Sequence, residues 1–182
     1  MNVQLKIWTR RVLLFVSFGL STLINASSNE TAATDSASLK PFTKHSLGQI
    51  TADRQGQAFI MVLWSIDCPP CLKELEYFQA LKAHFTKTNI VFISTDSPDD
   101  GASIQQILVD NELQTLDSWI FSDSLPERLR YKIDPNWYGE LPRTYFYEAD
   151  HTRRAHSGML THVELKQWLT KNALAISLKR IN

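Results

Sequence analysis

The sequence predicts an α/β sandwich built on a mixed sheet. Three observations lead there. Residues 58–64 (AFIMVLW) and 90–95 (IVFIST) are near-continuous apolar runs, the pattern of strands buried on both faces by covering helices. Helical patterns follow both runs: Leu72, Leu75, Phe78, Leu81 and Phe85 after the first, and residues 102–113 after the second. Further on, residues 144–148 and 154–159 read as a hairpin around 149–152, before a last helix. Successive βα units followed by a hairpin and a helix place a mixed sheet between helical layers.

The chain opens on a different kind of segment. Lys6, Arg10 and Arg11 form a basic head, with no acid before Glu30. Residues 12–24 (VLLFVSFGLSTLI) are apolar apart from small residues, but as a helix would span only about 20 Å, short of the roughly 30 Å hydrocarbon core. Residues 1–26 therefore read as a secretory signal cleaved after Ala26, the other reading being an uncleaved anchor. Without them, 19 basic residues fall to 16 against 19 acidic, a net of about −3. Residues 27–39 begin with SSNETAATDSAS, small, polar and without periodicity, and read as a flexible linker.

The domain is expected over 40–173, with 174–182 as a tail. A short strand is expected at 47–50 and a turn at Arg54-Gln55-Gly56. The helix after residue 68 is expected to reach Lys87, with Lys82, His84 and Lys87 suiting the negative end of its dipole. Residues 96–101 (DSPDDG) form a turn, 119–121 a short strand and 126–131 a short helix. Thr161 with Glu164 makes a capping box opening a helix to about Lys171.

At 182 residues with 43% hydrophobic content the chain is long enough for one sizeable core. The zero formal net charge gives no footprint for nucleic acid, and there is no Gly-rich phosphate loop, dinucleotide fingerprint or internal repeat.

The chemistry concentrates at Cys68-Pro69-Pro70-Cys71, the only two cysteines in the chain. A C-x-x-C pair at a helix start can open and close as a disulfide and exchange with disulfides elsewhere. Zinc would need two more ligands, and His151 and His156 lie some eighty residues downstream, against about 12–15 in a finger. A purely structural staple closing so small a loop restrains the unfolded chain little. Exported proteins often use several disulfides as staples; an adjacent pair alone points to function instead.

Three stretches resemble a known family. Residues 63–75 (LWSIDCPPCLKEL) are similar to the F-W-A-x-W-C-x-x-C-x-x-E-x segment of TlpA/ResA-type thiol–disulfide oxidoreductases, an exported branch of the thioredoxin superfamily. Residues 140–147 (ELPRTYFY) resemble the segment holding that family's cis-proline. Residues 119–123 (WIFSD) with the following short helix resemble its inserted strand–helix element. The resemblance covers about residues 40–172 and implies a thioredoxin-like three-layer sandwich, with no cofactor besides the cysteine pair and no metal. It also implies protein substrates carrying disulfides or thiols, such as apocytochromes c, a membrane thiol electron donor of the DsbD/CcdA kind, a periplasmic location and a monomer.

By the same resemblance Cys68 is the nucleophile and Cys71 the resolving thiol. Glu74 is the proton acceptor, and Pro142 is cis and lies against the cysteines. Trp64, Asp67, Pro69, Pro70, Leu141 and Pro142 are the expected substrate contacts. Trp137 and Tyr138, just before that proline, are candidates to line the substrate groove or simply half-buried loop aromatics. Two departures stand out. The family's Trp before the first cysteine is Asp67 here, an acid that disfavours a neighbouring thiolate and favours a more reducing couple. The buried acid of thioredoxin proper is replaced by Val62, which leaves Glu74 to accept the proton of Cys71. Glu74 could equally be an ordinary acid near a helix start. Two other classes stay open. One is a peroxidase, with Ser65 three before Cys68 but Met61 where a proline is expected. The other is a copper carrier using Cys68, Cys71 and His156.

Overall fold

A computed structural model describes residues 38–82 and 90–179, with side chains to Asn172. Residues 1–37 lie outside the described residues, and with them the expected signal and nearly all of the linker. So do Phe85 and the expected helix-end charges His84 and Lys87. Six strands form one sheet: β1 (Lys40–Phe42), β2 (Phe59–Trp64), β3 (Ile90–Ser94), β4 (Asp117–Phe121), β5 (Arg143–Tyr147) and β6 (Arg153–Ser157). The order across the sheet is β1-β4-β3-β2-β5-β6. The first four run parallel, while β5 is antiparallel to both β2 and β6, so the sheet is mixed.

Helices cover both faces, and β2 shows why its sequence is apolar throughout. Ile60, Val62 and Trp64 pack beneath α2 (Pro69–Leu81), α3 (Gly101–Asp110) and α5 (His162–Lys179), with Leu75, Phe78, Ile104 and Leu165. Alternate residues Phe59, Met61 and Leu63 face α1 (Ser46–Ala52) and α4 (Pro126–Ile133), with Ile50, Leu129 and Ile133. A strand whose alternate side chains enter two cores has no polar face to show. Edge-on packing of Phe78 against Phe92, 5.2 Å between ring centres, ties α2 to β3.

The expected strand at 47–50 is corrected: those residues belong to α1. Leu47 and Ile50 stand three apart, a helical spacing, and the Thr51 hydroxyl donates to the carbonyls of Leu47 and Gly48. The first strand is instead Lys40–Phe42, beside β4 at the sheet edge, where Pro41 is tolerated. Three residues containing a proline carry too little pattern to be read as a strand.

Other boundaries move less. The turn at Arg54–Gly56 is present, with Gly56 at φ 72°. Helix α2 stops at Leu81 and α3 at Asp110. After α3, Glu112 at φ 54° reverses the chain and drops Leu113 into the core. The capping box forms: the Thr161 N–H and hydroxyl both donate to Glu164, and the Glu164 N–H donates back to the Thr161 hydroxyl. From it α5 runs to Lys179, taking in most of the expected tail. No helix among the described residues is long and apolar enough to cross a membrane.

Candidate redox site

Strand β2 ends at Trp64, and residues 65–67 lead directly into the start of α2. Cys68 is the N-cap, extended at φ −114° and ψ 93°, and Pro69 and Pro70 open the helix. Proline suits this place because its missing N–H would have had no partner in the first turn. Cys68 and Cys71 are disulfide-bonded, with Sγ–Sγ 2.03 Å. Their exposures differ: Cys71 is 1% exposed within the core under α2, while Cys68 is only half-buried. The Cys71 N–H donates both to Cys68 Sγ, at 3.3 Å, and to the Cys68 carbonyl, at 2.9 Å. A helix start therefore presents an amide to the outer sulfur, where negative charge is favoured.

The loop before Cys68 is tied to the neighbouring strand. Ser65 Oγ donates to Asp96 Oδ1 at 2.6 Å, and the Ile66 N–H donates to Asp96 Oδ2 at 3.1 Å. Ser94, the last residue of β3, donates its hydroxyl to the same Oδ2 at 2.6 Å. Sequence reasoning left Asp96 in an ordinary turn; the available signal was an acid directly beyond a buried strand.

Glu74, one helical turn beyond Cys71, is 1% exposed. That excludes the reading of an ordinary solvated acid near a helix start. Its Oε1 accepts the Leu160 N–H at 2.6 Å, just before the capping box of α5. Burial pushes its carboxyl up to about 7, against the opposing pull of that N–H.

The Leu141–Pro142 peptide is cis. Pro142 is buried where β5 begins, next to the Leu63–Arg143 pairing that ends the β2–β5 ladder, so β5 starts where β2 delivers the cysteines. The Pro142 carbonyl accepts the Gly158 N–H at 2.9 Å and is not free to pair with a substrate. Leu141, outside the ladder and half-buried, touches both cores. A polar network holds the loop ahead of it. Asp134 Oδ2 accepts from Arg143 at 3.1 Å and from the Tyr145 hydroxyl at 3.0 Å, and Glu140 accepts from Arg143 and Ser157. Burial pulls the Asp134 carboxyl up, but hydrogen bonds from the Asn136 N–H, Tyr145 and Arg143 outweigh it and hold it below its usual range. The Trp137 indole donates to the Glu140 carbonyl at 2.8 Å.

The expected substrate contacts thus divide. Asp67, Pro69 and Pro70 are exposed around Cys68. Trp64 is corrected: at 1% exposure it is a core residue under α2 and cannot touch a substrate. Trp137, 4% exposed, is likewise interior, whereas Tyr138 at 90% stands in solvent. His156 lies on β6 opposite Thr144. Among the described residues no three His, Cys, Asp or Glu side chains are grouped to hold a metal ion.

Known structures share this architecture. A secreted Mycobacterium tuberculosis disulfide oxidoreductase homologous to E. coli DsbE superposes with a TM-score of 0.52 at 19% identity, covering 66% of this chain and 85% of that one. A thioredoxin-family thiol:disulfide interchange protein from Chlorobium tepidum gives 0.54 at 13%, covering 68% and 84%. A secreted thiol-disulfide isomerase from Corynebacterium glutamicum gives 0.51 at 20%, covering 67% and 74%. At these identities the likeness is one of fold, which is thioredoxin-like. Among curated proteins no sequence matches. The AhpC/TSA family model matches residues 32–156, well over half of the chain and inclusive of both cysteines and Pro142. The chain belongs to the AhpC/TSA family and is a thioredoxin-like oxidoreductase.

Proposed function

We propose that this protein is an exported thiol–disulfide oxidoreductase of the TlpA/ResA type that reduces disulfides of partner proteins. The observation that carries the reading is the bonded pair itself, with Cys68 reachable at a helix start and Cys71 enclosed behind it. In the reduced protein the Cys68 thiolate attacks a substrate disulfide; a mixed disulfide forms and one substrate sulfur leaves and takes a proton. The Cys71 thiolate then attacks Cys68 Sγ and expels the second substrate thiol. The substrate gains two electrons and two protons, and the Cys68–Cys71 bond is restored. A dithiol donor must then reduce that bond, which the resemblance assigns to a membrane protein of the DsbD/CcdA kind.

Exposed Asp67, Pro69 and Pro70 surround the reacting sulfur, and Leu141 is the residue left to pair with substrate backbone. Of the two aromatics before Pro142, the exposed Tyr138 is the one left to line a substrate groove. The basic, apolar character of residues 1–26 supports export to the periplasm, and β4 followed by α4 supports the inserted element of this branch. Apocytochromes c are the substrates this branch implies, and a monomer its working form. Reduction of insulin in the presence of dithiothreitol tests the activity, and an inactive mature protein would overturn it. The peroxidase reading rests on Ser65, whose hydroxyl is committed to Asp96; hydrogen peroxide turnover faster than disulfide exchange would favour it.

The couple is expected to be reducing. Asp67 stands exposed beside Cys68, and no basic residue lies between Trp64 and Leu72 to favour the thiolate. Equilibration with glutathione is expected to give a potential closer to about −270 mV than to about −120 mV. A value above roughly −180 mV would assign the protein to disulfide formation instead.

A further inference from the structure

We propose that Asp96 is a positioning residue for the redox pair, anchoring the 65–67 loop to β3 so that Cys68 caps α2 with its sulfur on the Cys71 N–H. The proposal rests on the redox reading of the cysteines and adds the residue that sets the outer sulfur in place.

Between Trp64 and α2 the chain must leave a buried strand and enter a helix within three residues, and each N–H on the way needs an acceptor. The Ile66 N–H donates to Asp96 Oδ2. The Asp67 N–H donates to Ser65 Oγ at 3.2 Å, and the Cys68 N–H to the Ser65 carbonyl at 3.2 Å. Ser65 therefore accepts two of the three, and Ser65 is itself held by its 2.6 Å bond to Asp96. The next two residues are prolines and have no N–H to hold the turn. These three donors thus lead, directly or through Ser65, to one carboxylate.

That carboxylate is well placed to serve as an anchor. Strands β2 and β3 are parallel neighbours, with Trp64 opposite Ser94. The Thr95 N–H closes the strand ends on the Trp64 carbonyl at 2.9 Å. Asp96 follows at once, and its Oδ2 also takes the Ser94 hydroxyl while its own N–H donates to Ser94 Oγ at 3.0 Å. With three donors on two oxygens, the side chain is fixed to the core sheet on one side and to the redox loop on the other. Among the described residues, the one backbone N–H that meets Cys68 Sγ is that of Cys71. A small rotation at Cys68 removes it, so the geometry of the cap decides how well the outer thiolate is stabilised.

Positioning and charge make opposite predictions. As a nearby negative charge alone, Asp96 would disfavour the Cys68 thiolate, and its removal would make Cys68 more reactive at neutral pH. As an anchor, its removal costs the thiolate its amide and makes Cys68 less reactive. The test is the pH dependence of iodoacetamide alkylation of Cys68 in the reduced protein, which reads the sulfur without requiring any protein substrate. Asp96→Ala is expected to move the alkylation midpoint up by about one pH unit, a roughly tenfold slower reaction near pH 7. Asp96→Asn, which loses the charge and can accept on only one of the two sides, is expected to move the midpoint in the same direction as Asp96→Ala but by less, whereas a charge effect would move it down. Ser65→Ala, a change in a half-buried loop residue, is expected to shift in the same direction as Asp96→Ala. The double variant is expected to be no worse than Asp96→Ala alone, because both act through one network. If Asp96→Ala does not fold, Ser65→Ala decides by itself. A midpoint that moves down in both Asp96 variants would show a charge effect only, and an unchanged Ser65→Ala midpoint would show that the network does not hold the sulfur; either overturns the proposal. Loss of insulin reduction with the alkylation pattern intact would instead count against the disulfide-reductase reading and leave the anchor standing.

Discussion

Cys68→Ser is expected to abolish reduction of insulin by the mature protein, because the one half-buried sulfur at the start of α2 is gone and Cys71, 1% exposed, cannot reach a protein disulfide. Cys71→Ser is expected to do something different. Attack by Cys68 still occurs, but no thiol lies behind it to expel the substrate, so mixed disulfides accumulate and appear as adducts on non-reducing gels and by mass. The rate difference is large because thiol–disulfide exchange has no substitute for the sulfur nucleophile: a hydroxyl at neutral pH is un-ionised and a poor attacker. Two results would reverse the assignment. Activity surviving in Cys68→Ser would remove it as nucleophile, and faster alkylation of Cys71 than of Cys68 in the reduced protein would exchange their roles.

Glu74→Gln is expected to change both stability and exchange, each with a defined pH dependence. The native carboxyl titrates near 7, against 4.5 when unfolded, because burial disfavours its charged form. Between these values the native state holds more protons than the unfolded state, so its stability falls as pH rises. The penalty is absent below about 4.5, grows through the window and is complete above about 7, at roughly 3 kcal/mol. Glutamine carries no such charge. Chemical denaturation at about pH 4 and about pH 8 is therefore expected to show the stability difference moving by about 3 kcal/mol in favour of the variant. A constant difference would mean that water reaches the carboxylate. In exchange, the parent is expected to resolve mixed disulfides faster as pH rises through about 7, when Glu74 becomes able to accept the Cys71 proton, and the variant is expected to lack that step. Equal rates from pH 6 to 9 would leave Glu74 only its tether to Leu160, with no part in the chemistry.

Much of this protein was legible in its residues because the relevant signals are local. A continuous apolar run specifies a strand covered on both faces, which is what β2 and β3 are. C-P-P-C between that run and a helical pattern puts two sulfurs at a helix start, since prolines there cost no hydrogen bond. Thr161 and Glu164 cap α5 as a pair three residues apart must. The resemblance reached further and pointed to Pro142, a residue that pattern alone would place in an ordinary strand start.

What the tertiary structure decided is everything that joins distant parts of the chain. Leu47 and Ile50 have a helical spacing, but two residues are too short a pattern to exclude a strand; α1 forms because Ile50 finds the core beneath the sheet while Phe42, four residues past the linker's polar run, takes the edge. Trp64 belongs to the core because β2 is enclosed on both faces, so an aromatic beside the cysteines is packing and not a docking surface. Glu74 is a raised carboxyl because the packed fold buries it, even though the N–H of Leu160, 86 residues away, donates to it and pulls the other way. Asp96 reaches Ser65, 31 residues earlier, only because β2 and β3 lie side by side and end together. Sequence spacing carries local geometry, whereas burial and contacts across the sheet exist only once the parallel strands have paired, and those contacts determine which acids next to the sulfurs have work to do.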